Sequence, residues 1–259
     1  MPRAIAVDWS GAITGERSRI WIAEAVDGAL ETLESGRTRA EAIAWVCARR
    51  AAVPSCVAGF DFSFSLPAWF LDAHGCRTID DAWRLVAERG EEWLATCPAP
   101  FWGRPGRTRG DEPQLRACEV GWRVRGIVPK SVFQIGGAGA VGTGTLRGIP
   151  FLPALREAGW AIWPYDAPTR HVAAEIWTRP LTGPVAKSSA EARRTWLRER
   201  TDLRGRLLRA AAGSEDAFDA AACAIALSRA RDLRATLRAP LPGDPREGAM
   251  LLPPSVLAG

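Results

Sequence analysis

The amino-acid sequence predicts an α/β fold in which helices flank a mixed sheet. Short apolar segments with strand character alternate with longer segments whose apolar residues recur at helical spacing. Two of the apolar segments end in a carboxylate: Asp8 closes AIAVD and Asp61 closes CVAGFD. The ends of neighbouring strands form the ligand site in open α/β sheets. The sequence therefore predicts a functional site at one edge of the sheet.

The first elements are expected in the order strand, strand, strand, helix, strand. A right-handed crossover through the helix places the fourth strand beside the first, in parallel. Asp8 and Asp61 are then expected at the same edge of adjacent strands. The segments concerned are residues 3–8, 19–26, 29–34, 38–52 and 56–61.

A second helix is predicted over residues 78–96, with Thr78 as its N-cap. Residues 97–148 lose this periodicity and are rich in Gly, Trp and Arg, which indicates an insertion that is partly strand and partly loop. One domain is predicted over residues 1–240, followed by a Pro- and Gly-rich tail over 241–259. Later elements are a helix at FLPALREAG, strands at WAIWPYD and HVAAEIW, a basic helical region over 188–212, and a long helix from Ser214 to about residue 237.

The amino-acid composition limits the kinds of binding and catalysis that the chain can support. The chain of 259 residues has a net charge of +5, and Lys130 and Lys187 are its lysines, so the basic set is almost all arginine. This composition could assist polyanion binding, but it reflects genomic base composition as easily. Six scattered cysteines without a CxxC motif and two histidines argue against zinc and against Ser-His or Cys-His chemistry. With no signal-like N-terminus and no apolar stretch of membrane length, we expect a cytoplasmic protein without membrane contact.

The acidic residues indicate a divalent-metal site. Asp216 and Asp219 are three residues apart on the last long helix and so share a face. Acids near a helix N-terminus also complement the helix dipole, so the pair alone does not decide between structure and function. Together with Asp8 and Asp61 they form a set of oxygen ligands suited to Mg²⁺ or Mn²⁺. Converging carboxylates repel unless a cation lies between them.

Three further features are candidates for catalysis or substrate binding. Glu175, in HVAAEIW, is a candidate catalytic acid or a salt-bridged residue near Arg179. The glycine run matches GxGxxG, but Gly144 and Thr145 are expected to interrupt the helix that a dinucleotide fingerprint needs, so the run is interpreted as a phosphate-binding loop or as tight turns. The tryptophans of the insertion either stack on bases or anchor it to the core. Candidate substrate-binding residues are Ser10, Trp102, Arg104, Lys130, Gly137, Gly139 and Arg147.

The motifs VDWSGA, GFDFSFSLP, PFWGRPG, KSVFQIGGAGAVGTGTLRG, AEIWTRP and EDAFDAAACAIA together resemble an uncharacterised bacterial family of ribonuclease H-like nucleases related to Holliday-junction resolvases. The resemblance covers roughly residues 3 to 228. It implies one ribonuclease H-like domain, a mixed five-stranded sheet flanked by helices, with a catalytic set at Asp8, Asp61, Glu175, Asp216 and Asp219. Resolvases usually carry a glutamate where this chain has Asp61, which is one methylene shorter.

These observations predict a nuclease or phosphohydrolase that uses Mg²⁺ or Mn²⁺ to cleave a nucleic acid or nucleotide phosphoester. A nucleotide-binding ATPase or kinase of the actin and sugar-kinase type is the alternative, with the segment from Asp8 to Gly11 facing the phosphates. That class duplicates its core, for which the chain has little room. A non-catalytic binding module is the third possibility.

Overall fold

The computed structural model describes residues 3–241 and 243–257, and a mixed sheet forms its centre. Within the described residues the sheet has six strands in the order β3-β2-β1-β4-β6-β5. β2 is antiparallel to both of its neighbours, whereas β1, β4, β6 and β5 are parallel. The strands are β1 (Arg3–Asp8), β2 (Trp21–Val26), β3 (Ala29–Glu34), β4 (Cys56–Phe60), β5 (Ala161–Trp163) and β6 (His171–Glu175).

The α/β class is confirmed, and β4 lies beside β1 as predicted. The count of five strands that the resemblance implies is wrong, because the strand predicted at WAIWPYD joins the described sheet at its edge as a sixth strand, β5. β5 is three residues long and pairs with β6, so it covers the backbone groups that would otherwise face solvent along β6. The strand predicted over 19–26 begins at Trp21, because residues up to Arg19 form a short helix.

Helices cover both faces of the sheet. α2 and α4 begin with the side chains of Thr38 and Thr78, each in a reciprocal capping box, which confirms Thr78 as an N-cap. The helices are α1 (Glu16–Arg19), α2 (Arg39–Ala52), α3 (Ala68–Ala73), α4 (Ile79–Thr96), α5 (Val141–Gly148), α6 (Leu152–Glu157), α7 (Thr178–Thr182), α8 (Ala190–Arg200), α9 (Gly205–Ala211), α10 (Glu215–Arg229) and α11 (Leu233–Thr236).

Successive side chains of β1 point to opposite faces of the sheet, and each face has its own hydrophobic core. Ile5 and Val7 belong to the core that contains α2 and α4, and Ala4 and Ala6 belong to the core that contains α10. Small residues on this second face let α10, itself rich in alanine, lie directly across β1 and β2. The close approach carries the first turn of α10 toward the end of β1.

The long helix predicted from Ser214 to about residue 237 is divided. Ser214 caps α10 as expected, since its Oγ accepts from the backbone N of Ala217 at 3.0 Å. α10 ends at Arg229, and α11 follows after Asp232, whose carboxylate accepts from the backbone N of Ser255 at 2.9 Å. This contact with the C-terminal segment has no local sequence signal. The helical region predicted over 188–212 is likewise divided, into α8 and α9.

The insertion over 97–148 contains turns, a 3-10 turn and α5, and within the described residues it has isolated bridges rather than strands. The expectation that Gly144 and Thr145 would interrupt a helix is also wrong, because both lie inside α5. Glycine is needed there for packing: a Cβ on Gly142 would lie 2.1 Å from the carbonyl oxygen of Val132. The glycine run therefore starts a helix that is pressed against neighbouring backbone.

The C-terminal segment packs against the sheet. The backbone N of Leu251 donates to the carbonyl oxygen of Glu175 at 2.7 Å, and Leu251 is buried in the core that contains α10. Three residues of the predicted tail, Pro242, Ala258 and Gly259, lie outside the described residues, as do Met1 and Pro2 at the other end.

Candidate functional site

Two predicted metal ligands lie at the carboxyl ends of adjacent parallel strands. Asp8 is the last residue of β1, and Asp61 follows the last residue of β4. Val7 pairs with Phe60, and the backbone N of Asp61 donates to the carbonyl oxygen of Val7 at 3.1 Å. The crossover through α2 therefore places these two carboxylates side by side, as the order of elements predicts.

The first two turns of α10 bring two more carboxylates to the same place. Asp216 lies in the first turn and Asp219 in the next, on the side of the helix that meets β1. Their charges act on Asp8 directly: after burial, the largest causes that raise its pKa are Asp219, Asp61 and Asp216. Asp61, Asp216 and Asp219 thus lie near enough to Asp8 for their charges to act on it, and we call these four aspartates the acidic site.

Burial and mutual repulsion perturb every acid of the acidic site. The pKa of Asp8 is raised well above its usual value, and the pKa of Asp61 is raised to about 7 by burial and by Asp219. Burial also raises the pKa of Asp219 and of Asp216, and Asp219 adds to the shift at Asp216. Carboxylates held in this way favour either a bound proton or a nearby cation.

Lys187 supplies part of the missing positive charge, and the sequence interpretation did not include it. Its Nζ lies 2.6 Å from both carboxylate oxygens of Asp219 and 3.1 Å from Oγ1 of Thr178. The Lys187 side chain is buried, and its charge lowers the pKa of Asp8 and Asp61 against the stronger effects of burial and repulsion. The sequence feature that could have pointed to Lys187 is that it is one of two lysines in an arginine-rich chain.

The donor set matches a hard divalent cation in type. Among the described residues, no group of three or more His, Cys, Asp or Glu side chains stands ready to hold a metal ion. Asp219 is held by Lys187, whereas Asp8 and Asp61 accept no side-chain hydrogen bond from the described part of the chain. The oxygens of these two carboxylates therefore have no side-chain partner among the described residues, and they are the ligand type that Mg²⁺ and Mn²⁺ prefer.

Glu175 ends β6 at the same edge of the sheet, but its oxygens are used inside the protein. Arg116 donates to both carboxylate oxygens, one contact being 2.8 Å long, and the backbone N of Phe64 donates to Oε2 at 3.0 Å. Arg116 is fully buried and also contacts Glu119 at 2.7 Å. Glu175 therefore anchors the insertion to the sheet, and its salt-bridge partner is Arg116 rather than the nearby Arg179.

The loop after β1 is pressed against α5. A Cβ on Gly11 would lie 2.3 Å from the carbonyl carbon of Thr143, so this position requires glycine. Arg147 of α5 donates to the carbonyl oxygen of Gly11 and binds Glu91 at 2.7 and 2.8 Å. Arg147, a predicted substrate contact, is thus engaged in holding the loop. The hydroxyl of Ser10 accepts from the backbone N of Ala12 at 3.2 Å.

The other predicted substrate-binding residues lie in the insertion. Trp102 donates through Nε1 to Gln114 at 2.8 Å, which favours the anchoring interpretation, and Arg104 donates to the carbonyl oxygen of Ala95 at 3.2 Å. Lys130 is exposed and lies along Gly139, since a Cβ there would be 3.5 Å from its Cε. Gly137 and Gly139 have φ of 75° and 78°, a conformation that favours glycine.

The fold and the acidic site define an α/β protein with a carboxylate-rich sheet edge. Comparisons of the chain with protein-family models, curated proteins and solved structures find no match. Across residues 3–241 and 243–257, no helix combines the length and the apolar character needed to cross a membrane. The chemistry of the site must therefore be inferred from its own geometry and charge.

Proposed function

We propose that the protein is a divalent-metal-dependent phosphoester hydrolase with a ribonuclease H-like core, acting on a nucleic acid or nucleotide. The observation that carries the proposal is the convergence of Asp8, Asp61, Asp216 and Asp219 at one sheet edge, with Lys187 bound to Asp219. The strand order β3-β2-β1-β4-β6, with β2 antiparallel, supports a core of this type.

Each residue has a role that follows from its position. Asp8 and Asp61, which accept no side-chain hydrogen bond from the described residues, would hold the cation with Asp216. When bound, a divalent cation polarises a phosphoryl oxygen and lowers the pKa of a water molecule. Lys187 keeps Asp219 in place and offsets one negative charge, which reduces repulsion of an incoming phosphate. Glu175 and Arg147 position the surrounding segments.

Divalent-metal binding is the direct test. We would titrate Mg²⁺ and Mn²⁺ into the wild type, Asp8→Asn and Asp216→Asn, and follow the melting temperature. We expect the wild type to be stabilised, because the metal binds the folded state, and both variants to lose the response. Asp111→Asn is the matched control, since Asp111 is exposed in the insertion. A wild type that gives no response at millimolar metal would contradict the proposal.

Substrate class is decided in a second step with the same variants. Metal-dependent cleavage of single-stranded or duplex oligonucleotides, lost in Asp8→Asn, would support a nuclease. Turnover of ATP without cleavage of nucleic acid would favour the kinase-like alternative, in which the loop after Asp8 contacts phosphates. Metal-independent behaviour that Asp8→Asn leaves unchanged would favour a binding module that retains its acids for structural reasons.

A further inference from the structure

A cavity of about 760 Å³ opens at the sheet edge opposite to the acidic site. Its walls come from the amino ends of β1, β4 and β6 and from the segment after α10. Arg3 of the cavity and Asp8 of the acidic site begin and end the same six-residue strand. At about 3.3 Å per residue the two positions are roughly 17 Å apart, so a single phosphate cannot contact both.

Arginine dominates the rim of this cavity. Among the described residues that line it, five are arginines and none is an aspartate or glutamate. Arg3 is paired with Glu24 at 2.6 Å and with Glu31 at 2.7 Å. The other four form no ion pair with the described part of the chain. The lining arginines are Arg3, Arg170, Arg231, Arg234 and Arg238.

No carboxylate of the described residues forms an ion pair with these four arginines, whereas Arg3 is neutralised by its two glutamates. Asp232, the acid next to Arg231 in sequence, is turned to the C-terminal segment, where it accepts from the backbone N of Ser255 at 2.9 Å. Like charges around one cavity repel, and a bound anion relieves that repulsion. Guanidinium forks suit phosphate in particular, because they can donate two parallel hydrogen bonds.

The floor of the cavity is apolar. Val57, Val172 and Leu237 contribute side chains that are otherwise buried in the core, and Leu233 of α11 is half-buried beside them. Small-molecule sites combine a mostly apolar lining with a few polar groups, in volumes of about 300–1,000 Å³. The bounded volume favours a compact ligand over a nucleic-acid chain, which needs an extended groove.

We propose that this arginine cavity binds a nucleoside triphosphate or diphosphate, with the phosphates on the arginines and the nucleoside over the apolar floor. The site is separate from the acidic site, so it does not depend on the proposed hydrolase activity. Its position beside α11 and the C-terminal end of α10 places a bound nucleotide at the opposite end of α10 from Asp216 and Asp219.

Calorimetric titration of the full chain with ATP, in EDTA so that no divalent metal contributes, tests the proposal. Inorganic triphosphate, adenosine and a single-stranded oligonucleotide are the comparison ligands. We expect ATP to bind more tightly than triphosphate or adenosine, because it uses both the arginines and the apolar floor. The double variant Arg234→Glu/Arg238→Glu should weaken ATP binding at least tenfold.

The matched control is Arg206→Glu/Arg209→Glu on α9, which changes the net charge equally at exposed positions outside the cavity. It should change ATP affinity less than twofold. Asp8→Asn should leave ATP binding unaltered, which separates this site from the acidic site. Circular dichroism of each variant confirms that it is folded.

Four outcomes would overturn the proposal. The first is no ATP binding by the wild type, and the second is an equal loss in both double variants, which would indicate a general charge effect. The third is tighter binding of the oligonucleotide than of ATP with the same dependence on Arg234 and Arg238, which would identify a nucleic-acid surface. Equal affinities for triphosphate and ATP would remove the nucleoside from the assignment.

Discussion

Replacing Glu175 by Gln and Asp8 by Asn is expected to change the free energy of unfolding in opposite directions. Both substitutions remove one carboxylate charge from the same sheet edge and nearly preserve side-chain shape. The difference lies in the neighbours. Arg116 binds both oxygens of Glu175, whereas Asp8 faces three other aspartates.

At Glu175 the buried guanidinium of Arg116 determines the sign of the change in the free energy of unfolding. Burial raises the pKa of Glu175 in spite of Arg116, whereas burial at Arg116 is outweighed by Glu119 and Glu175, which raise its pKa. The guanidinium of Arg116 stays charged at any working pH, so it requires a carboxylate partner whenever the protein is folded. Removing one partner of a buried pair costs about 3–5 kcal/mol. Because Glu119 remains as a partner, we expect a loss of about 3 kcal/mol.

At Asp8 the repulsion from the other aspartates of the acidic site determines the sign of that change. An Asn side chain cannot ionise, so the folded state no longer holds four carboxylates together. Burial and the neighbouring aspartates raise the pKa of Asp8 well above its usual value, so the folded state holds the ionised carboxylate at a cost that the unfolded chain does not have. We therefore expect Asp8→Asn to stabilise the metal-free protein at mildly alkaline pH, with the opposite sign to Glu175→Gln.

Urea unfolding in EDTA, followed by tryptophan fluorescence, measures both changes. Asp111→Asn serves as the control, because Asp111 is exposed, and should leave the free energy of unfolding unchanged. A stabilising effect of Glu175→Gln would mean that Glu175 is an acid held at a cost for function, contrary to its structural assignment. Destabilisation by Asp8→Asn would show that the acids are not in mutual repulsion.

Three other predictions concern pH, the buried lysine and the loop after β1. The folded state raises the pKa of Asp61 from 3.8 to about 7, so it holds this proton more tightly than the unfolded chain. Without metal, the free energy of unfolding should therefore fall between about pH 4 and pH 7. Urea unfolding across that range should show a smaller fall for Asp61→Asn. Lys187→Met should lower the free energy of unfolding by about 3 kcal/mol, since it leaves Asp219 without its partner. In a double-mutant cycle, the variant that also carries Asp219→Asn should regain much of that loss. Gly11→Ala should cost about 1–3 kcal/mol, because its Cβ would lie 2.3 Å from the backbone of Thr143; thermal unfolding indistinguishable from wild type would contradict this packing.

Local sequence patterns were sufficient to predict much of the fold. Alternating apolar runs and a helix between them placed β1 beside β4, because crossover connections have one hand. Thr78 could be recognised as a cap from its own segment, since capping depends on residues within one turn. The end of α10 could not be recognised, because a contact between Asp232 and the distant Ser255 accompanies it. The edge strand β5 lies in WAIWPYD, where a strand is predicted, but three residues are too few to decide from periodicity alone whether that strand joins the sheet.

The sequence by itself determined that Asp8 and Asp61 end adjacent parallel strands and that Asp216 and Asp219 share one helix face, whereas the packing of α10 across β1 brings the two pairs together. Strand ends and one helix face carry them, and those positions follow from periodicity and connection rules. Only the tertiary structure decided which polar groups are already satisfied: Glu175 by Arg116, Arg147 by Glu91, and Asp219 by Lys187. Such pairings join residues that are tens of positions apart, and a buried charge takes whichever partner the packing places beside it.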